Sequence, residues 1–254
     1  MRKVFMVVGS VLLAFPLFAY QDAGKKLEIA LEGEGYSYRE PHMDLPISLK
    51  GYHVGASVTY TQRGVYGGSN SFGVLEGRFL TGKTDYDGYL MNGTPSTADD
   101  ITNWYIELRG LYGLEFGRVV RVAPYLGIGY RFLSNNMDED ASGYRRESTY
   151  YYMPIGANIQ VGSADNLLLT LNGEFDWMFY GNQYSGIAYG INNTQDKGFG
   201  LRGGIKLEKN FGNMGLFVEP FYRFWKIQNS DVVSGLYEPF NISREYGAKV
   251  GISF

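Results

Sequence analysis

The stretch Ile242-Ser-Arg-Glu-Tyr-Gly-Ala-Lys-Val-Gly-Ile-Ser-Phe254 decides the fold. Counting back from its end, Phe254, Ile252, Val250, Ala248 and Tyr246 fall on one face. Ser253, Gly251, Lys249, Gly247 and Glu245 fall on the other. Alternation with a period of two is the mark of a strand with one apolar and one polar face. It runs without a break to the last residue, where the ends of soluble domains usually fray.

Moving outward, the same pattern recurs in stretches of roughly 10 to 13 residues, the length of a tilted membrane-crossing strand. The stretches are Lys26 to Tyr38, Gly51 to Thr61, Ser71 to Lys83, Asn103 to Gly117, Val122 to Leu133, Ser148 to Val161, Leu167 to Tyr180, Gly198 to Lys209, Gly215 to Ile227 and the final strand. In Asn103 to Gly117, for example, Trp104, Ile106, Leu108, Tyr112, Leu114 and Phe116 oppose Glu107, Arg109 and Glu115. Short turns, such as Ser163-Ala-Asp-Asn166 and Asn210-Phe-Gly-Asn213, alternate with longer polar segments: Thr84 to Thr102, Ser134 to Glu147, Gly181 to Lys197 and Gln228 to Asn241. Pro124, Pro154 and Pro220 fall inside strand stretches. Proline cannot donate to a ladder, so they are expected at bulges or strand starts.

A terminal strand that ends on an aromatic resembles that of bacterial outer-membrane β-barrels. The resemblance covers the chain after residue 23, through its architecture and its last strand. It implies an all-β fold, a transmembrane antiparallel up-and-down barrel of about 10 strands, with 8 or 12 as alternatives. It also implies that Tyr246, Val250, Ile252 and Phe254 form the signal read by the barrel assembly machinery. The expected surroundings are outer-membrane lipid and lipopolysaccharide. An even strand count puts both termini on the periplasmic side and the longer segments outside the cell.

The other end of the chain reads as a targeting segment. Arg2 and Lys3 precede an apolar run, Val4 to Phe18, and small residues follow at Ala19 and Ala23. This is the layout of a secretory signal peptide for the Sec pathway. Residues 1–19 are read as signal, with cleavage after Ala23 as the alternative, and residues 24–254 as one barrel domain. No cysteine stands at the cleavage region for lipid anchoring or anywhere else in the chain. Stability therefore has to come from the backbone ladder rather than from disulfides.

Composition agrees. The chain has 35 Gly and 22 Tyr, far from a soluble average. Its mean hydropathy of −0.20 argues against a helical membrane protein, whereas a barrel shows apolar residues to lipid only at alternate positions. A net charge of −3 gives no footprint for nucleic acid.

With the apolar faces toward lipid, the inward set contains Glu28, Glu32, Glu34, His53, Glu76, Arg78, Glu107, Arg109, Glu115, Arg131, Glu174, Asp176, Arg202, Lys206, Glu208, Glu219, Arg223, Glu245 and Lys249. Both signs of charge recur on nearly every strand. A barrel of this size has a bore little wider than its side chains fill, and unpaired buried charges are costly. A lumen plugged by salt bridges is the first expectation, and a water-filled, ion-conducting lumen is the alternative. Inward Gly127, Gly129, Gly204, Gly247 and Gly251 make room for long side chains.

Catalytic constellations are incomplete. Omptin proteases resemble a ten-stranded design and use paired Asp residues plus an Asp-His pair at the extracellular rim. Asp85-Tyr86-Asp87 looks like the first pair, but the second has no counterpart. The two histidines are His42 and His53, and Gly181 to Lys197 contains neither. Lipid A deacylase barrels use a Ser-His-Glu set on the outer surface, whereas His53 and Ser57 are expected inside. Asp85, Asp87 and Gly88 match a fragment of a calcium loop without its later ligands. Zinc spacings, phosphate loops and nucleophile elbows are absent from the sequence, so no metal or cofactor is expected.

The leading functional expectation is a non-enzymatic outer-membrane barrel, either a narrow porin-like channel or a structural surface barrel. An omptin-like rim hydrolase is one alternative. A barrel that binds a small solute or surface ligand through its loops is the other, with Tyr184 to Ile191 and Leu236 to Phe240 as candidate loops.

Overall fold

The computed structural model describes residues 24–65, 70–90, 92–140, 143–187 and 190–254. The segment read as a signal peptide, 1–19 or 1–23, lies outside these described residues. Eleven strands follow: β1 (Lys25–Glu40), β2 (Ile47–Arg63), β3 (Ser71–Tyr89), β4 (Pro95–Leu114), β5 (Val120–Asn135), β6 (Arg146–Ser163), β7 (Leu167–Ser185), β8 (Ile191–Gln195), β9 (Gly198–Phe211), β10 (Met214–Ile227) and β11 (Asn241–Ser253). All neighbours are antiparallel. β8 and β9 pair in succession along β7, so together they make one wall of the ring. β1 pairs with β11 from Glu28↔Ser253 to Arg39↔Ile242, and this closes a barrel of ten walls.

The alternation in the sequence becomes inside and outside. In β10, Phe217, Phe221, Arg223, Trp225 and Ile227 are buried while Leu216, Val218 and Tyr222 are exposed. In β11, Glu245 and Lys249 are buried, whereas Tyr246 and Val250, like Phe254 just after it, lie on the outer surface. Exposed Leu, Ile, Val and aromatic side chains on every wall form an apolar band. Outward aromatics touch from wall to wall along one edge of this band: Phe79 with Trp104, Trp104 with Phe132, Tyr130 with Tyr151, and Tyr151 with Tyr180. Such a girdle suits the boundary between lipid and water. Beyond it the outward residues turn polar, as at Ser37, Lys50, Lys83, Asn182, Lys226 and Arg244.

The strands run longer than the sequence reading has them. β3, β4 and β7 reach 19, 20 and 19 residues, and together with β8 they absorb most of the segments Thr84 to Thr102 and Gly181 to Lys197 that were expected as loops. The reason is physical. Above the apolar band the outer face turns polar while the inner face mixes apolar and polar residues, so the alternation that announces a strand fades while its backbone ladder continues. A 3-10 turn, Met137–Glu139, sits in the connection between β5 and β6.

The prolines do not mark bulges. Across Pro154 the ladder between β5 and β6 lapses and resumes in unchanged register, from Leu126↔Ile155 to Gly129↔Tyr152. Pro220 does the same between β10 and β9, from Val218↔Leu207 to Phe221↔Gly204, and Pro124 pairs in register with Ala157. The register shifts lie elsewhere. Opposite Thr84 to Tyr86 the partner strand carries an extra residue at Asp99-Asp100, where Asp100 adopts φ 57. In β7, Phe179 and Tyr180 both face outward, so that Gly181, Gln183 and Ser185 continue the inner face.

Phe254 follows β11 and its backbone bonds Leu27 in both directions, at 2.8 and 3.0 Å. It therefore ends the seam between the first and last walls. Deletion of Phe254 should sharply reduce the folded, heat-modifiable fraction recovered from membranes. Phe221→Ala, an inward change beneath Arg223, should reduce it far less. Equal yields from the two variants would refute the role given to the seam.

Candidate functional site

Register sets the chemistry of the lumen. Arg78, Glu107 and Arg131 are partners on β3, β4 and β5. Glu174, Arg202, Arg223 and Glu245 are partners on β7, β9, β10 and β11. Glu32, Lys249 and Glu219 form a third row, and Glu76 faces Arg109. Opposite charges thus lie side by side along most of each row before any side chain crosses the bore, the exception being Arg202 beside Arg223.

The side chains then join the rows. Glu107 is the hub. It takes a bidentate pair from Arg202, at 2.9 and 2.5 Å, a bond from Arg78 at 2.5 Å and the Tyr152 hydroxyl at 2.7 Å. Arg78 also grips Glu32, at 3.1 and 2.5 Å, and bonds the Tyr105 hydroxyl at 2.7 Å. Arg223 reaches Glu32 at 2.8 Å and Glu34 at 3.3 Å. Arg202 continues to Asp176 at 2.6 Å and Glu174 at 3.1 Å, while Arg109 binds Glu174 and Glu76. Arg131 on the fifth wall meets Glu245 on the tenth at 2.5 Å, directly across the barrel. Bidentate and charge-assisted bonds of this kind are the strongest that proteins make. Toward the short-turn end, Lys26 and Lys206 are shared between Glu28 and Glu208.

Several aromatics on the polar faces of their strands complete the belt, and the sequence reading did not single them out. Tyr105 lies under the guanidinium groups of Arg78 and Arg131. Tyr152 and Trp225 flank Arg202. With Tyr150, Met178 and Ile227 they make a buried cluster across the bore. Their signal was parity, since Tyr105 shares the face of Glu107 and Arg109. Gly129 carries no side chain because the Tyr152 ring fills that place, and a Cβ there would lie 2.1 Å from it.

The belt divides the interior. Toward the short turns lies a polar cavity of about 200 Å³, bounded by Lys26, Glu28, Arg109, Lys206, Glu208, Glu219 and Lys249. Toward the longer loops lies a cavity of about 850 Å³. Its walls include Met43, Leu45, Leu49, Tyr86, Leu90, Met137, Ile187, Ile191, Leu236 and Tyr237. Both candidate loops from the sequence, Tyr184 to Ile191 and Leu236 to Phe240, contribute to it. Among its polar lining residues are Glu40, Arg146 and Glu238. Arg146 bonds Glu238 and reaches Glu40 at 3.1 Å, and the Tyr38 hydroxyl lies 2.8 Å from Glu40 and 3.0 Å from Glu238.

The residues with a resemblance to enzyme sites are not brought together. Asp85 and Asp87 sit on the outer, exposed face of β3, and Asp85 accepts the Asp100 N–H at 3.1 Å. His42 stacks on Phe240. His53 is fully buried inside, bonded to Glu34 at 3.0 Å and packed against Tyr36 and Tyr105. Among the described residues no group of three or more metal-binding side chains occurs.

The loop-end cluster gives a pH dependence. Burial raises the Glu238 carboxyl above its ordinary range, Arg146 opposes this, and nearby Glu40 adds to it. The folded state then keeps a proton that the unfolded chain has released. The stability linked to this group is fully present below the ordinary glutamate range and is lost as pH rises through the raised value. Glu238→Gln keeps the shape without titrating, so it should flatten the fall in stability seen in denaturant unfolding as pH rises above the ordinary glutamate range. A steeper fall in the variant would contradict the assignment.

No family model matches the sequence, and no curated protein sequence matches it. Among solved structures, the chain is similar to the outer membrane protease OmpT from Escherichia coli, with a TM-score of 0.60 and 9% identity, covering 94% of this chain and 99% of that one. The translocator domain of the autotransporter NalP from Neisseria meningitidis gives a TM-score of 0.45 at 12% identity, covering 93% and 90%. The outer membrane protein OprG from Pseudomonas aeruginosa gives 0.37 at 11% identity, covering 93% and 97%. At such identities the OmpT likeness speaks for fold alone, and the fold is that of a closed outer-membrane β-barrel.

Proposed function

We propose that this protein is a non-enzymatic barrel of the bacterial outer membrane whose lumen is shut by its own ion pairs, a surface barrel rather than a general diffusion pore. The single observation that carries the reading is the pair of Arg131 and Glu245, joined at 2.5 Å from opposite walls. Both groups are almost fully buried, and Arg78, Glu107, Arg202 and Arg223 fill the space around them. A bore crossed at that distance, with long side chains packed about the crossing, is what supports a closed lumen at the height of the belt. The short-turn end with both termini is assigned to the periplasm and the apolar band to lipid. Export through the Sec pathway, insertion by the barrel assembly machinery and contact with lipopolysaccharide belong to the same proposal.

An omptin-like rim protease is not favoured, because the carboxylates of Asp85 and Asp87 face away from the interior and neither histidine accompanies them. The purified barrel should leave basic peptides uncut. Cleavage that vanishes in Asp85→Asn would reverse this judgement.

Planar-bilayer recording tests the closed lumen. The wild type should show no conductance or a very small one. Arg131→Ala and Arg223→Ala each remove a plug and leave the buried carboxylates around it one positive charge short, which should cost on the order of 3 kcal/mol of stability. Both variants should therefore conduct more and unfold earlier. Leu108→Ala, on the lipid side, should only unfold earlier. A large steady wild-type conductance, unchanged by the two arginine truncations, would sink the proposal.

A further inference from the structure

The cavity at the loop end combines an apolar wall with a polar corner whose hydrogen bonding is incomplete. Its volume of about 850 Å³ lies within the range of small-molecule sites. Two carboxyl groups, Glu40 and Glu238, share the guanidinium of Arg146. The raised Glu238 carboxyl gives up its proton most readily when a second cation stands beside it, and with both carboxyls ionised this corner carries one more negative than positive charge. Asn135 pairs in register with Arg146 and lines the same cavity. Asn135 is only 8% exposed, and among the described residues its Oδ1 accepts no hydrogen bond.

The unmet needs are specific. An orphan acceptor requires a donor, and an anionic surplus requires a positive charge. A carboxylate ligand would meet neither. A protonated primary amine brings three N–H donors and one positive charge, which can be shared among Asn135 Oδ1, Glu40 and Glu238. An apolar body attached to it would lie along Leu49, Tyr86, Met137 and Leu236.

We infer that the loop-end cavity is a binding site for a small apolar molecule ending in a protonated primary amine. The site goes beyond the closed-lumen reading and does not depend on it, since it lies wholly on the loop side of the belt. Its occupant reaches it without crossing the ion pairs.

Calorimetric titration of the full barrel in lipid nanodiscs tests this, with n-octylamine, n-octanol and octanoate at neutral pH and protein-free nanodiscs as the reference. Octylamine should bind saturably at one site, octanol at least about tenfold more weakly for want of the charge-assisted bonds, and octanoate no more than in protein-free discs. Glu238→Gln and Asn135→Ala should each weaken octylamine by about tenfold and leave octanol unchanged. Leu236→Trp, a loop change that fills the cavity, should abolish binding of both. Heat-modifiable migration identifies the variants that are folded and so interpretable. Octylamine uptake no greater than in protein-free discs would overturn the site. Octanoate binding as tightly as octylamine, or octylamine binding unaffected by Glu238→Gln and Asn135→Ala, would overturn the recognition of an amine.

Discussion

Closure of the backbone ladder governs this molecule. In lipid no water is available to satisfy exposed N–H and C=O groups, so a sheet that crosses a membrane must have no free edge. Here the requirement is met where β1 meets β11, a pairing that continues to the Leu27 and Phe254 backbones. Once ten walls are joined, the diameter is set, and with it the length of side chain that reaches the centre. The charged interior follows from that width. Arginine and glutamate are long enough to meet in the middle, and Arg131 meeting Glu245 shows it.

A buried ion pair seldom stabilises a fold more than apolar packing would, because desolvation consumes most of the attraction. The belt is better understood as an arrangement that tolerates no missing member. Glu107 holds two arginines and a tyrosine hydroxyl, and each arginine holds other carboxylates. The aromatic rings of Tyr105, Tyr152 and Trp225 lie against the guanidinium groups in the same layer. Packing and charge therefore occupy the same layer of the interior, and neither could be removed alone without disturbing the other.

Much of this was legible in the sequence, for a simple reason. Inside the apolar band the two faces of a strand meet opposite solvents, so Leu108 and Arg109 announce their directions by chemistry. The inward charges on β4, β5, β7, β9, β10 and β11 could be placed by parity alone. Above the band the outer face meets water and the inner face is mixed, so that contrast is lost. Ala98, Ile101 and Asn193 sit in strands above the band, yet their surroundings read as loop. The cluster of Glu40, Arg146 and Glu238 was hidden for the same reason, and because it joins three segments far apart along the chain. The apolar cavity above it is likewise made by curvature, which brings Leu49, Met137 and Leu236 to one place.

The contacts across the bore also bear on how such a sequence can change over generations. Arg131 and Glu245 are 114 positions apart, and Arg202 and Glu107 are 95 apart, yet each pair behaves as a single unit of charge. A substitution at one member is tolerated only when its distant partner changes too, and a hub such as Glu107 ties three positions into one step. The lipid face has no such bond, since any apolar side chain of similar girth serves there as well as another. Descendants of this chain should therefore drift freely on the outside while the inside moves in correlated groups or not at all. Relatives could then become unrecognisable by overall identity while still sharing a small, linked alphabet of interior residues.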